Sequence, residues 1–179
     1  MSLEIRQATP EQIGLSSSIL TEAAEWAVSI GQPLWKPEVL TAEKLGPNLE
    51  RGEIFLAWLG GEAVGNIFFQ WEDRPFWPHL ERGESAFFHK VAIRRKVAGQ
   101  GVARAMVEWA IAKAKAEGAP YLRMDTHARR PKLIRFYEEM GFVFVEEKVV
   151  GGLEVALYEM KLSTSRAIDP SCKPLEPLS

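Results

Sequence analysis

Residues 91–103 (Val91-Ala92-Ile93-Arg94-Arg95-Lys96-Val97-Ala98-Gly99-Gln100-Gly101-Val102-Ala103) decide how the rest of the chain is read. The run that enters them, Ser85 to Ile93, is nearly continuously apolar and β-prone, as expected of a central strand covered on both faces. The run that leaves them is helical. From Gly101 to Glu117, Ala103, Met106, Val107, Ala110, Ile111 and Ala114 recur every three or four residues. Arg104, Glu108, Lys113 and Lys115 take the opposite side, and Gly118 ends the pattern. Between strand and helix lies a basic turn with a Gly-x-Gly. A helix N-terminus leaves about four backbone N–H groups unpaired, with the positive end of the dipole behind them, and glycines let an anion approach that backbone. Phosphate is the natural ligand. The turn lacks the Lys-Ser/Thr of an ATP-type phosphate loop. Arg104 stands where a dinucleotide fingerprint has its third Gly or Ala, and no acidic residue closes a new strand about 20 residues on. Both nucleotide patterns fail, and a plain helix start that happens to contain glycine is the competing reading.

Outward from this stretch, Leu3 to Thr9 suggests a short strand. Pro10 then opens a helix with Ile13, Leu20, Ala23, Ala24 and Ala27 on its apolar face, closed by Gly31. A second short helix is predicted near Pro37 to Leu45, broken by Gly46-Pro47. Glu53 to Leu59 and Glu62 to Trp71 flank Gly60-Gly61 and read as a hairpin. Residues 72–84 (EDRPFWPHLERGE) form a long charged loop, a candidate substrate loop. Tyr121 to Thr126 reads as a strand and Pro131 to Met140 as a helix closed by Gly141. Phe142 to Val150 with Leu153 to Leu162 forms a second hairpin across Gly151-Gly152. The predicted order is β-α-α, ββ, loop-β-α, β-α, ββ, in one α/β domain over residues 1–162, with an extended tail over 163–179.

The chain has 179 residues, 46% of them hydrophobic and 26% charged, enough to bury a core and inconsistent with a disordered chain. Twenty-two Lys and Arg against 24 Asp and Glu give a net charge of −2, which argues against a dedicated nucleic-acid partner. Cys172 is the single cysteine, and His79, His89 and His127 have no metal-like spacing, so no metal is expected. Acids interrupt the N-terminal apolar runs and no long uncharged stretch occurs, so neither a leader nor a membrane span is expected, and a reducing cytoplasm is.

The Gly-x-Gly does not stand alone. It is followed by Leu122-Arg123-Met124-Asp125-Thr126 and by Arg135-Phe136-Tyr137-Glu138-Glu139-Met140-Gly141-Phe142. With these, residues 3–162 resemble the GCN5-related N-acetyltransferase superfamily, whose cofactor motif is Gln/Arg-x-x-Gly-x-Gly/Ala and whose later motif ends Phe-Tyr-x-x-x-Gly-Phe. Two positions depart from the pattern: Ala98 replaces the first Gln/Arg, and Arg130 replaces an Asn often found seven residues before the tyrosine. The resemblance implies a mixed, mostly antiparallel sheet of about seven strands with a splayed fourth and fifth strand, and about four helices. It also implies acetyl-CoA as cosubstrate, with pantetheine pairing to backbone near Val91, Ala92 and Ile93 by strand addition. Phosphates would be cradled by Ala98, Gly99, Gln100, Gly101, Val102, Ala103 and Arg104. Arg94, Arg95 and Lys96 are nearby sources of positive charge, and Arg130 is placed to reach a CoA phosphate.

Tyr137 aligns with the tyrosine that protonates the leaving thiolate in many members; a core tyrosine packed by Phe136 and Phe142 is the alternative. An amine nucleophile must first lose its proton. The carboxylate that some relatives use falls on Phe87, so His89, on the same face, is the substitute candidate, because its ordinary pKa suits transfer at neutral pH. Glu72, Asp73 and water are the other bases. Glu25, Trp26 and Trp35, with Trp71, Glu72, Asp73, Phe76 and Trp77, would flank a cationic amine, although the tryptophans suit a core or a homodimer contact equally. The implied function is direct acetyl transfer to a small-molecule or peptide amine. An acyl-CoA-binding regulatory module without turnover is the alternative.

Overall fold

The computed structural model describes residues 2–33 and 35–162; the predicted tail and Cys172 lie outside the described residues. Among the described residues seven strands form one sheet: β1 (Leu3–Gln7), β2 (Ile54–Leu59), β3 (Glu62–Gln70), β4 (Ala86–Ile93), β5 (Tyr121–His127), β6 (Val143–Val150) and β7 (Leu153–Lys161). Their order is β1-β2-β3-β4-β5-β7-β6. Every neighbouring pair is antiparallel except β4–β5. The expected mixed, mostly antiparallel α/β architecture is therefore the one observed.

Helices α1 (Ile13–Ser29) and α2 (Ala42–Glu50) cover one face, and α3 (Val102–Ala116) and α4 (Pro131–Glu139) the other. Ile19, Leu20 and Ala24 of α1 and Leu45 of α2 pack on Ile54, Leu56, Phe68 and Ala92. On the opposite face Met106, Val107, Ala110 and Ala114 of α3 are fully buried against the sheet, each large side chain contributing about 1.5–3 kcal/mol of apolar burial. Close approach of α3 requires Gly65 on β3, where a Cβ would lie 2.5 Å from Met106 Sδ and 3.1 Å from Ala57 Cβ. None of the described helices is long and apolar enough to cross a membrane.

The second helix departs from expectation. Pro37–Val39 makes only a 3₁₀ turn, and α2 begins at Ala42, running through Gly46-Pro47 to Glu50. Thr41 fixes the start by accepting from the Lys44 N–H at 3.3 Å. Pro47 removes one N–H bond in a helix that burial of Leu45 still holds in place. In the 72–84 loop Trp77 is 3% exposed and packs with Phe87, Val155 and Leu157, which anchors the loop to the sheet. The acceptor-side role expected of Trp77 is therefore corrected: its ring is core.

Candidate active site

Strands β4 and β5 pair only at Ala86↔Leu122 and Phe87↔Arg123 and then part, leaving the edge of β4 from His89 to Ile93 unpaired toward β5. The gap opens into a groove of about 1610 Å³. Ordinary small-molecule pockets run to roughly 1,000 Å³, so there is room for two ligands together. Val91, Ala92, Ile93, Tyr137, His89, Trp26, Trp35, Glu72, Asp73 and Arg130 all border it.

A β-bulge shapes the floor of this groove. The β3–β4 register runs Phe68↔His89 and then Asn66↔Ala92, so β4 carries one extra residue, and Lys90 adopts φ 50°. The fully buried Asn66 donates to the Lys90 carbonyl at 3.0 Å and accepts from Ser16 Oγ at 2.7 Å. The bulge breaks the strand's alternation. His89 stacks on Phe76 and Lys90 Nζ lies 5.1 Å from the Trp35 ring centroid, so consecutive side chains face the same side. Beyond the bulge, Val91 and Ile93 pack toward α3 and Ala92 toward α1.

His89 sits between two carboxylates. Its Nδ1 is 2.8 Å from Asp125 Oδ1, and its Nε2 is 3.3 Å from Asp73 Oδ2, an ion pair of poor hydrogen-bond alignment. Asp73 has only 5% of its side chain exposed, His89 14%. Burial opposes charge on the ring, but the hydrogen bonds and fields of Asp125 and Asp73 outweigh it and push the His89 pKa up to about 10. The expectation of an imidazole titrating near neutrality is thereby corrected: His89 is an imidazolium at pH 7. The three ligand atoms lie within 4.8 Å of one another, yet the acids meet different ring nitrogens, the geometry of a doubly paired imidazolium rather than of one shared cation. With both acids ionised the cluster carries one net negative charge. Asp73, although on the long charged loop, is buried.

Tyr137 projects from α4 at 6% exposure, its ring packed by Phe88, Phe136 and Phe142 while it borders the groove. Burial first, and the Asp125 field second, raise its pKa well above the ordinary phenol value, so the phenol keeps its proton. The core packing and the exposure to the groove both hold for this one residue.

The glycine turn stands apart from the groove lining. Gly99 (φ 77°) and Gly101 (φ 80°) take left-handed conformations, Gly101 serves as the N-cap of α3, and the space where either Cβ would stand is open. The N–H groups of Ala98 and Gln100 are used within the turn, donating to Arg95 and Val97 carbonyls. Those of Val102, Ala103 and Arg104 form the helix's open first turn. An anion could enter here without displacing a side chain. The flanking cations are more occupied than expected. Arg94 bonds Glu22 and Ser18, Lys96 pairs with Glu62, Arg95 lies 3.9 Å above the Trp26 ring, and Arg104 faces Glu139 at 3.7 Å. Arg130 is 9% exposed and donates to the Gln32 and Pro33 carbonyls, so it ties α4 to the segment after α1. Both bonds use one terminal nitrogen of the guanidinium, and the side chain borders the groove.

On the acceptor side Trp26 (39% exposed), Trp35, Glu72 and Asp73 come together, Glu72 paired with Arg74. Trp71 packs edge-on to Phe69 and borders the groove, whereas Glu25 is exposed and does not border it. Sequence reasoning missed Asp125 and Lys90. Asp125 had a readable signal, an acid inside a strand whose odd positions face the same way as His89. Lys90 had none, because the bulge that turns it inward is not written in the local pattern.

The acetyltransferase (GNAT) family model matches residues 18–142. The chain is 25% identical over 136 residues to the uncharacterized N-acetyltransferase YesJ of Bacillus subtilis (strain 168), covering 72% of this chain and 75% of that protein. Among solved structures it resembles a GNAT-family acetyltransferase from Listeria monocytogenes (TM-score 0.76, 20% identity, 89% of this chain and 95% of that one). It also resembles the PaiA N-acetyltransferase of Thermoplasma acidophilum, solved in complex with coenzyme A (TM-score 0.71, 16% identity, 90% and 100% covered). The sheet parted at β4–β5, the glycine turn before α3 and the family match over most of the chain lead to one assignment: the chain belongs to the acetyltransferase (GNAT) family.

Proposed function

We propose that this protein transfers the acetyl group of acetyl-CoA to a primary amine by direct attack within a ternary complex. The observation that carries this reading is the groove where β4 and β5 part, in which the unpaired β4 edge, the protonated Tyr137 and the Asp73–His89–Asp125 cluster converge. Acetyl-CoA, when bound, supplies an acyl group activated as a thioester. The main chain of Val91–Ile93 offers the hydrogen bonds of an added strand, and the Val91 N–H would donate to the acyl carbonyl oxygen. The positive-φ glycines and the first turn of α3 would hold phosphate through N–H groups. That support matters because Ala98 brings no charge and the neighbouring cations are paired.

Tyr137 keeps its proton at neutral pH and would stabilise the departing thiolate by donating an O–H hydrogen bond to the sulfur. The anionic cluster draws in the ammonium form of the amine. His89, as imidazolium, holds the two acids in position rather than serving as the base. Asp73 Oδ2 is buried beside His89, so the proton that the ammonium sheds would leave through water. The test is thiol release from acetyl-CoA across an amine panel. Amine-dependent release supports transfer; acetyl-CoA binding without release by any amine replaces it with the acyl-CoA-binding module.

A further inference from the structure

We propose that the acceptor is an α-amino acid, held as a zwitterion with its ammonium at Asp73–His89–Asp125 and its carboxylate at Lys90 Nζ. This rests on the acetyl-transfer reading and narrows its substrate class.

The bulge in β4 re-aims Lys90. Consecutive Cα atoms are about 3.8 Å apart, and in an unbroken strand the side chains of residues 89 and 90 would face opposite sides. Here both face the groove, His89 on Phe76 and Lys90 on Trp35. The floor therefore carries a site of net charge −1 beside a site of charge +1. Among the described residues Lys90 makes no ion pair, so the two poles do not cancel by direct contact, although the Asp125 field reaches Lys90. A ligand that satisfies both must carry opposite charges close together. An α-amino acid does so on two groups bonded to one carbon.

The other cations on this side are committed or exposed. Arg74 pairs with Glu72 and Arg130 with two carbonyls, while Arg95, Lys36 and Arg82 are exposed. Among the described residues on this side, Lys90 is the half-buried cation without a counter-ion, and its pKa is lowered chiefly by burial. A desolvated unpaired ammonium is unfavourable, and a ligand carboxylate relieves it with a charge-assisted hydrogen bond. A polyamine would set a second cation beside it, and a peptide N-terminus would bring no anion there.

The experiment measures kcat/KM for thiol release from acetyl-CoA with the common L-α-amino acids and their matching amides. The amide keeps the amine and loses the carboxylate. At least one amino acid is expected to exceed its amide by about tenfold or more, although the less basic amide amine is intrinsically easier to deprotonate. In Lys90→Met that ratio falls toward one through a higher KM for the acid, and Lys90→Arg restores part of it. Equal or better use of amides by the wild type overturns the proposal. So does a Lys90→Met loss confined to kcat for both substrates, which would make Lys90 a proton carrier. If acetyl-CoA binds but no amine is acetylated, calorimetric titration of the CoA-loaded protein with the same amino acids decides, and absence of binding overturns it. Failure to bind acetyl-CoA at all defeats the broader reading instead.

Discussion

Replacing Asp125 by Asn keeps the shape of the side chain and removes one of the two charges that hold His89 protonated. His89 titrates at about 10 in the folded protein against an ordinary value of 6.5. A pKa raised on folding stabilises the fold fully below pH 6.5, and the stabilisation is lost as pH climbs through 10. At about 1.4 kcal/mol per pH unit the whole difference is on the order of 5 kcal/mol. Two carboxylates share it, so Asp125→Asn removes on the order of 2 kcal/mol, less than the roughly 3–5 kcal/mol lost on breaking a fully buried ion pair, because the Asp125 side chain is 20% exposed. Urea unfolding of both proteins from pH 6 to 10.5 reads this directly. The stability gap between them is full from pH 6 to about 8 and closes as pH passes 10, because above that point neither protein has a charged His89 to pair. In parallel, the His89 ring signal by NMR titrates lower in the variant. A gap that is independent of pH, or a wild-type His89 that titrates near 6.5, refutes the reasoning.

Tyr137→Phe is expected to lower kcat by about 10²-fold or more while leaving the acetyl-CoA dissociation constant within about twofold, as measured by steady-state kinetics and calorimetry. An unaffected kcat removes its role at the sulfur. Gly101→Glu, which puts a charge and a side chain at φ 80° into the open space before α3, should abolish acetyl-CoA binding. Unchanged affinity would move the phosphate site elsewhere. Asn66→Leu strands the buried Ser16 hydroxyl and Lys90 carbonyl and should destabilise the fold by about 2 kcal/mol in urea unfolding. A neutral effect would show that the bulge does not depend on that bridge.

Periodicity made the strands and long helices legible, because the apolar stripe of α3 and the glycine-centred hairpins are local facts. Where tertiary packing overrode a local signal, the reading failed. Gly46-Pro47 looked like a stop, but the Thr41 cap and the burial of Leu45 carry α2 through it. Trp77 looked like a loop aromatic until Phe87 and Val155 closed over it. Main-chain geometry was legible where a motif marks it, as at Gly99, Gly101 and the parted β4. It was illegible where one extra residue re-aims a strand. The bulge at Lys90 depends on Asn66, 24 residues away, and the commitment of Arg130 depends on carbonyls at Gln32 and Pro33. His89 could be placed on its face, yet its charge state followed from two acids on separate elements.

The central claim, that the groove between β4 and β5 with the glycine turn is an acetyl-CoA site, is tested most directly by calorimetric titration of the purified protein with acetyl-CoA, run beside ATP. The account predicts one site of micromolar or tighter affinity for acetyl-CoA and no heat from ATP, since the turn lacks both nucleotide patterns. No binding of acetyl-CoA, or binding of ATP in its place, would contradict it.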